Sequence, residues 1–397
     1  MDSNKLVLLW IVAQIAIGYH LLMPMLLYLF CQLKQIFVKR TIQPLQGETP
    51  PYDYALIVTA YEETSMLGEV VASLLKLDYD NYLIYVIADN CDISDLRFDD
   101  ERVILLKPEQ VLANNIKSHR YAIQHFRRKH DKIAIIDSDN IVDSRFIVEV
   151  NRLFAQGYEA VQGFRAAKNL DTDYARLDAA RDLFYHFYDG KLLFEVGSSA
   201  TLAGSGMAFD TSLYVSCISD MDIQGAGFDK LLQARIVASG RRIGFTEHAL
   251  VFDQKTANHH QLVGQRARWI NTWIKYHVLG FGLVWQGIKT MNANQGIFGL
   301  VLLRPPLFLF LLLSIFCLMI NVFFSLWGTL YWSIGLLIFI LSFFVALFDH
   351  RTDPSIYRSL VKIPLFIFYQ VVSLFNIRRL VRQSIATKHT THTDANY

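Results

Sequence analysis

Residues 132–139 read Lys-Ile-Ala-Ile-Ile-Asp-Ser-Asp, a short apolar run that ends in two carboxylates. The run is rich in β-branched residues and predicts a buried strand with Asp137 and Asp139 at its carboxyl end. Two more strand-like runs precede it, at 54–59 and 83–88, as do two helical stretches, at 68–77 and 114–130. Strands separated by helices are typical of a mostly parallel, nucleotide-binding sheet, so this part of the chain predicts an α/β domain.

Polar side chains follow each of the three predicted strands, at 59–63, 89–92 and 137–139. In parallel sheets, ligands collect at the carboxyl ends of the strands. Asp137 and Asp139 can present oxygens to a hard cation that also binds a diphosphate, so Mg or Mn is the expected metal. A helix cap or a turn is the alternative interpretation of such an Asp pair.

The composition places part of this 397-residue chain in contact with lipid. Hydrophobic residues make up 53% of it, which is too apolar for one ordinary soluble domain. The acidic residues concentrate between 53 and 275, a length sufficient for one sizeable domain. A net charge of +2 gives no indication of a nucleic-acid partner. The four cysteines are widely separated, so neither a disulfide framework nor a zinc site is expected.

Uncharged segments at both ends predict membrane helices. Residues 6–31 carry no charge and are long enough to span, with a cleaved signal peptide as the alternative. Lys34, Lys39 and Arg40 follow directly, which predicts that the central domain is cytoplasmic. Residues 305–326 and 330–348 predict a hairpin of two spans joined by a linker, Trp327-Gly328-Thr329.

Two further segments allow two interpretations each. Residues 363–377 form either another crossing or an interfacial helix, and 273–291 form either an amphipathic helix on the membrane surface or a core helix. The predicted layout begins with a transmembrane helix (1–33), a linker (34–52) and the α/β domain (53–272). These are followed by an interfacial helix (273–291), a transmembrane hairpin (297–348), and a cytoplasmic loop with a last apolar segment and basic tail (349–397). We expect a multi-pass protein of the cell membrane.

The order of motifs over residues 54–273 resembles that of family 2 glycosyltransferases with a GT-A fold, a group that includes cellulose, chitin and hyaluronan synthases. The most specific string is Gln265-Arg266-Ala267-Arg268-Trp269, which matches the Gln-x-x-Arg-Trp signature of the processive synthases in full. The resemblance implies a Rossmann-like GT-A domain with a mostly parallel sheet, beside transmembrane helices. It also implies inverting transfer of a sugar from a nucleotide-sugar donor, a UDP-sugar.

The resemblance assigns donor-binding and metal-binding roles to the strand ends. The residues implied in donor binding are Thr59, Tyr61, Glu63, Asp89, Lys117, Asp137 and Arg268. Asp89 would contact uracil, and Asp137 and Asp139 would hold the metal. Ile116 stands where the family has a glycine before the lysine.

The acceptor side and the catalytic groups follow later in the chain. Gly204-Ser205-Gly206 resembles the loop beneath the acceptor sugar, where glycines let backbone approach a ligand, although a simple turn has the same composition. Asp229 would be the general base, with Phe228 in place of a family acid; a helix cap is the alternative. Arg268 would stabilise the leaving diphosphate and Trp269 would offer a flat face to the acceptor. An amphipathic helix with surface arginines and a buried Trp is the alternative for this motif.

Three functions fit the sequence. The first is a processive synthase that extends a polysaccharide and passes it into a membrane channel, with help from a second copy or an export partner. The second is a non-processive transferase that acts on a lipid-linked acceptor, because only three or four spans are available. The third is a catalytically inactive membrane scaffold, suggested by Phe228 and Ile116.

Overall fold

A computed structural model describes residues 3–37, 51–223, 225–256, 258–350 and 352–380. Lys39, Arg40, most of the predicted 34–52 linker and the basic tail beyond 380 lie outside the described residues.

A mixed eight-stranded sheet forms the centre of the α/β domain, in the order β3-β2-β1-β4-β7-β6-β8-β5. The strands are β1 (Tyr54–Tyr61), β2 (Tyr82–Asp89), β3 (Val103–Leu106), β4 (Lys132–Asp137), β5 (Ile141–Val142), β6 (Ala160–Ala167), β7 (Met207–Asp210) and β8 (Ile243–Asp253). Neighbours β3, β2, β1 and β4 are parallel, as are β6 and β8, whereas β7 runs antiparallel to β4 and β6, and β5 runs antiparallel to β8. The predicted Rossmann-like, mostly parallel fold and its three predicted strands are confirmed.

The register of the central strands aligns their carboxyl ends. Thr59 of β1 pairs with Asp137 of β4, and Tyr61 pairs with Asp89 of β2. These strands are almost wholly buried because helices cover both faces of the sheet, which explains their continuous apolar runs. The polar residues that follow them therefore share one edge.

Fifteen helices surround or extend the sheet within the described residues. They are α1 (Ser3–Phe37), α2 (Leu67–Leu74), α3 (Asn115–Gln124), α4 (Phe146–Phe154), α5 (Asp173–Tyr185), α6 (Leu193–Glu195), α7 (Thr211–Ile218), α8 (Phe228–Ala238), α9 (His259–Tyr276), α10 (Leu279–Thr290), α11 (Ala293–Leu303), α12 (Leu307–Phe324), α13 (Leu326–Asp349), α14 (Pro354–Ser359) and α15 (Ile363–Leu380). A π-helical segment, His186–Leu192, joins α5 to α6. Asn114, Thr172 and Asn258 cap α3, α5 and α9 by accepting backbone N–H groups.

Four helical segments are long and apolar enough to cross a membrane among the described residues: Asn4–Phe37, Leu307–Phe324, Leu326–Asp349 and Pro354–Phe375. A polar contact joins three of these helices, because Gln14 Oε1 accepts hydrogen bonds from Asn321 Nδ2 at 2.6 Å and from Trp332 Nε1 at 2.7 Å. At the other end of α1, Lys34 Nζ donates to the carbonyl of Glu195 at 2.7 Å. The α/β domain therefore lies at the Lys34 end of the bundle.

Two predicted segments differ in detail from the structure. The hairpin turn lies at Ser325, not at Trp327-Gly328-Thr329, because the Ser325 hydroxyl accepts the N–H of Gly328 and starts α13 there. The predicted 273–291 helix is interrupted between Tyr276 and Leu279, so it comprises the end of α9 and all of α10.

Helix α10 is amphipathic. Its buried face presents Gly280, Leu283 and Gly287, whereas Phe281, Trp285 and Ile288 are each more than 60% exposed. This pattern is typical of a helix that rests on a membrane surface, and the interfacial placement stays a prediction.

Candidate active site

The glycine loop, Gly204-Ser205-Gly206, forms hydrogen bonds with the turn that follows β4. Ser205 Oγ accepts hydrogen bonds from the backbone N–H of Asp137 at 3.0 Å and from Asn140 Nδ2 at 2.7 Å. Gly204 and Gly206, on either side of Ser205, have φ values of +89° and +64°, which glycine adopts without strain. Ser205 is fully buried and Gly206 is buried, so only Gly204 of this predicted acceptor loop reaches solvent. The loop fixes the shape of the 137–140 turn.

Carboxylates concentrate around Asp137. Burial and the adjacent charge of Asp139 raise the pKa of Asp137 to about 7; Asp253 and Asp229 add to this effect, and Arg165 opposes it. Three other carboxylates, two of them from distant parts of the chain, therefore act electrostatically on Asp137. Such a concentration of hard oxygen ligands fits a divalent cation.

The candidate metal site offers few protein ligands. In the described part of the chain, no three His, Cys, Asp or Glu side chains form a ready ligand set. Mg²⁺ sites in phosphate-binding enzymes commonly use one or two carboxylates and complete their coordination with substrate phosphate and water. Asp137 and Asp139 fit that arrangement.

The predicted donor residues line the same edge of the sheet. Asp89 ends β2, and its two carboxylate oxygens accept the backbone N–H groups of Leu112 at 2.9 Å and Ala113 at 2.7 Å. Asp89 thus holds the segment that leads into α3, whose first turn presents the exposed Lys117. Thr59, Tyr61 and Glu63 lie at and beyond the end of β1.

Asp229 lies in the first turn of α8, and the residue that precedes this helix, Gly227, has a φ of +103°. Its carboxylate is 3.2 Å from Lys230 Nζ, which also donates to the carbonyl of Leu202 at 3.0 Å. The carboxylate is largely buried and lies within the electrostatic field of Asp137. The charge of Asp229 therefore acts on the 137–140 turn.

The two departures from the family pattern fill core positions. Phe228 is 7% exposed and lies edge-on to His119, with ring centroids 5.3 Å apart. Ile116 is 1% exposed. Both side chains pack in the hydrophobic core of the domain.

The residues of the 265–269 motif divide between two surroundings. Arg266 is 2% exposed and pairs with the buried Asp178. Arg268 lies one turn before Thr272, and a Cβ added to Gly227 would come within 2.6 Å of Thr272 Cγ2. Residues i and i+4 share one helix face, so Arg268 is on the face of α9 that packs against the start of α8. Burial lowers the pKa of Arg268.

A family model described as glycosyltransferase-like family 2 matches residues 50–272, more than half of the chain. The chain belongs to this glycosyltransferase family. It is an enzyme that transfers a sugar from a nucleotide-sugar donor, as members of the family do.

Two solved structures are similar to this glycosyltransferase, and the first, with a TM-score above 0.5, shares its GT-A fold. One is the mannosyltransferase PcManGT from Pyrobaculum calidifontis in complex with GDP-Man and Mn²⁺, with a TM-score of 0.53, 14% identity, and coverage of 91% of this chain and 98% of that chain. Another is S. aureus TarS 1-349 in complex with UDP-GlcNAc, with a TM-score of 0.43, 12% identity, and coverage of 83% and 90%. No curated protein sequence matches the chain significantly.

Trp269 of this glycosyltransferase is neither fully buried nor a free platform. Its side chain is 41% exposed, and the guanidinium carbons of Arg181 and Arg266 lie 4.1 and 4.2 Å from the ring centroid. The interpretation of the motif as ordinary surface arginines does not hold for Arg266, which is buried. Cation–π contacts therefore occupy part of the indole that was predicted to face a sugar.

Sequence reasoning missed Arg165, Asp182 and Lys255, which belong to the site's surroundings. Arg165, near the end of β6, pairs with Asp253 and donates to the carbonyl of Ala203 at 2.5 Å. Lys255 and Asp182 pair with each other. No motif described above marks these three residues.

Proposed function

We propose that this glycosyltransferase adds sugars, with inversion at the anomeric carbon, from a UDP-sugar to a growing polysaccharide at the cytoplasmic face of the cell membrane. One observation supports the proposal: Asp229 acts electrostatically on Asp137 of the 137–140 turn, and the helix that carries the complete Gln-x-x-Arg-Trp motif packs against the start of the helix that carries Asp229. The three parts supply a diphosphate site, a base and a cation.

Residues at and near the ends of the strands would bind the nucleotide-sugar donor. Asp137 and Asp139 would hold Mg²⁺ or Mn²⁺, which when bound neutralises charge on a diphosphate. Arg268 would grip the same leaving group, a task that suits a planar guanidinium. The remaining donor-binding positions are Thr59, Tyr61, Glu63, Asp89 and Lys117.

The acceptor half centres on Asp229. Its carboxylate accepts the proton of the acceptor hydroxyl as that oxygen bonds to the anomeric carbon and the bond to the diphosphate breaks. The nearby ammonium of Lys230, at 3.2 Å, keeps this carboxylate in place. The exposed part of Trp269 and Gly204 of the Gly204-Ser205-Gly206 loop would contact the acceptor.

A lipid-linked acceptor is the second candidate, and two observations favour it. The described residues include four helical segments that could span a membrane, so a polymer channel would need a second copy of the chain or an export partner. The indole of Trp269 is partly occupied by two guanidinium groups, which limits it as a sugar platform.

Product length separates the two candidates. Purified membranes that contain the protein would be incubated with labelled UDP-sugars and GDP-sugars and divalent metal, and the products sized. A long carbohydrate polymer supports the first function. A lipid that carries a single added sugar supports the second, and absence of turnover with every donor rejects both.

A further inference from the structure

Seven charged side chains form a continuous chain of contacts behind the active site, which we call the ion-pair chain. In order of contact its members are Arg165, Asp253, Lys255, Asp182, Arg181, Asp178 and Arg266. They come from strands β6 and β8, the segment after β8, helix α5 and helix α9. The ion-pair chain therefore crosses the domain from the sheet to the helix that carries the 265–269 motif.

Lys255 is the central link. Its side chain is 2% exposed, and Nζ lies 2.6 Å from Asp253 Oδ1 and also pairs with Asp182 Oδ2. Its backbone N–H donates to Asn169 Oδ1 at 2.7 Å, which fixes where the side chain starts. A buried charge needs partners, and these two carboxylates supply them for the Lys255 ammonium.

One end of the ion-pair chain reaches the motif. Asp178 Oδ1 pairs with Arg181 at 2.9 Å and with Arg266, and both guanidinium groups lie over the Trp269 ring. Thr256 Oγ1 lies 3.1 Å from both Asp178 Oδ2 and Gln265 Oε1. Gln265, Arg266 and Trp269 are thus held from one side of α9, and their placement sets where Arg268 lies.

The other end reaches the 137–140 turn. The charges of Arg165 and Asp253 act on Asp137. The Arg165 guanidinium also bonds the carbonyl of Ala203, next to the glycine loop that braces the turn. A displacement of Asp253 would therefore change the electrostatic environment of Asp137.

We propose that Lys255 is a positioning residue that fixes α9, and with it Arg268, relative to the 137–140 turn. Lys255 would set the distance between Arg268 and the 137–140 turn without contacting either of them. The proposal rests on the proposed function, because it assigns Arg268 and Asp137 to the same diphosphate. Lys255 would then matter to the reaction through Arg268.

The test compares Lys255→Met and Lys255→Arg with a matched control, Lys191→Met. Lys191 also bridges two carboxylates, Glu247 at 2.9 Å and Asp349 at 2.8 Å, but lies outside the ion-pair chain. We expect Lys255→Met to lower kcat for sugar transfer by about 10- to 100-fold, the range that is usual when a residue that orients metal ligands is removed. Lys255→Arg should recover part of this loss, and Lys191→Met should leave kcat unchanged.

A double-mutant cycle with Arg268→Lys separates positioning from general destabilisation. In the wild-type background Arg268→Lys should weaken nucleoside diphosphate binding and slow transfer. In Lys255→Met the same change should cost much less, because Arg268 is already displaced, whereas in Lys191→Met it should cost as much as in wild type. Lys255→Met with Asp182→Asn, which removes a carboxylate together with the ammonium, serves if the single variant does not fold.

Wild-type kinetics in folded Lys255→Met, or an undiminished effect of Arg268→Lys in that background, would overturn the positioning role while the proposed function stands. Absence of turnover in the wild type would instead reject the proposed function itself.

Discussion

Asp229 is the residue on which the chemistry depends most. Its place in the first turn of α8, near Asp137 and 3.2 Å from Lys230, suits a base that acts on the acceptor. We expect Asp229→Asn to lower turnover by about 100-fold or more and to leave nucleoside diphosphate affinity nearly unchanged, since the base does not hold the donor. Calorimetry beside a transfer assay measures both.

The control for this variant is Asp222→Asn, in the preceding loop, where the side chain is exposed. It should behave as wild type. An Asp229→Asn protein that transfers sugar at the normal rate would mean that Asp229 only starts a helix.

The raised pKa of Asp137 makes metal binding depend on pH. Because burial and Asp139 bring this pKa to about 7, the carboxyl is largely protonated at pH 6 and ionised at pH 8 in the metal-free protein. A cation must displace that proton, so Mn²⁺ affinity should rise about tenfold per pH unit below 7 and level off above it. Titration calorimetry with Mn²⁺ at pH 6, 7 and 8 checks this. An affinity that stays constant over this range would contradict the assignment of Asp137 as a ligand.

At the scale of elements, the contact between α8 and α9 places Asp229 and Arg268 on facing helices. Gly227 allows it, because an added Cβ would approach Thr272 Cγ2 to 2.6 Å and Tyr276 Cε2 to 2.8 Å. We expect Gly227→Ala to lower the free energy of unfolding by about 1–3 kcal/mol from backbone strain alone. It should also reduce transfer, because the helices separate.

Gly240→Ala is the matched control. Gly240 has a φ of +81° and no atom within 4 Å of an added Cβ, so it imposes strain without a clash. It should lower the free energy of unfolding and leave transfer intact. Equal loss of transfer in the two variants would show that the α8–α9 contact is not what matters.

The sequence predicts a strand or a helix well where hydropathy alone is enough to identify it. Strands β1, β2 and β4 are buried on both faces, and their apolar runs are visible without any knowledge of the fold. Strands β6 and β8 escape prediction because Arg165 and Glu247 interrupt their apolar pattern, and because their pairing shifts register between Gln162 and Phe164. The hairpin turn is misplaced because hydropathy alone does not identify Ser325 as a helix cap.

The site was predictable only in part for a related reason. Asp137, Asp229 and Arg268 follow from strand ends and from motifs. The ion-pair chain does not, because a charged residue in sequence is usually on the surface. Lys255 is buried only because Asp182 and Asp253 reach it from distant parts of the chain.

For the molecule as a whole, the contacts at the two ends of α1 lead to a predicted orientation in the membrane. Lys34 contacts the α/β domain, whereas Gln14, 20 residues earlier, contacts Asn321 and Trp332 near the tip of the α12–α13 hairpin. The basic residues after α1 predict that the domain is cytoplasmic, and the hairpin tip would then face outside. The four native cysteines are buried, which allows thiol labelling.

We expect Trp327→Cys, at a position 81% exposed, to react with an impermeant thiol reagent in intact cells. Glu101→Cys, on the exposed surface of the domain, should react only after permeabilisation. The reverse pattern would invert the orientation.

Donor turnover by the wild type and by Asp139→Asn, with and without chelator, shows whether this protein is a metal-dependent glycosyltransferase. Purified membranes would receive a panel of UDP-sugars and GDP-sugars, and release of nucleoside diphosphate would be measured beside incorporation of sugar. We predict that one donor is consumed, that chelation abolishes transfer, that Mg²⁺ or Mn²⁺ restores it, and that Asp139→Asn is inactive at every metal concentration. Full transfer in excess chelator, or by Asp139→Asn, would contradict the account.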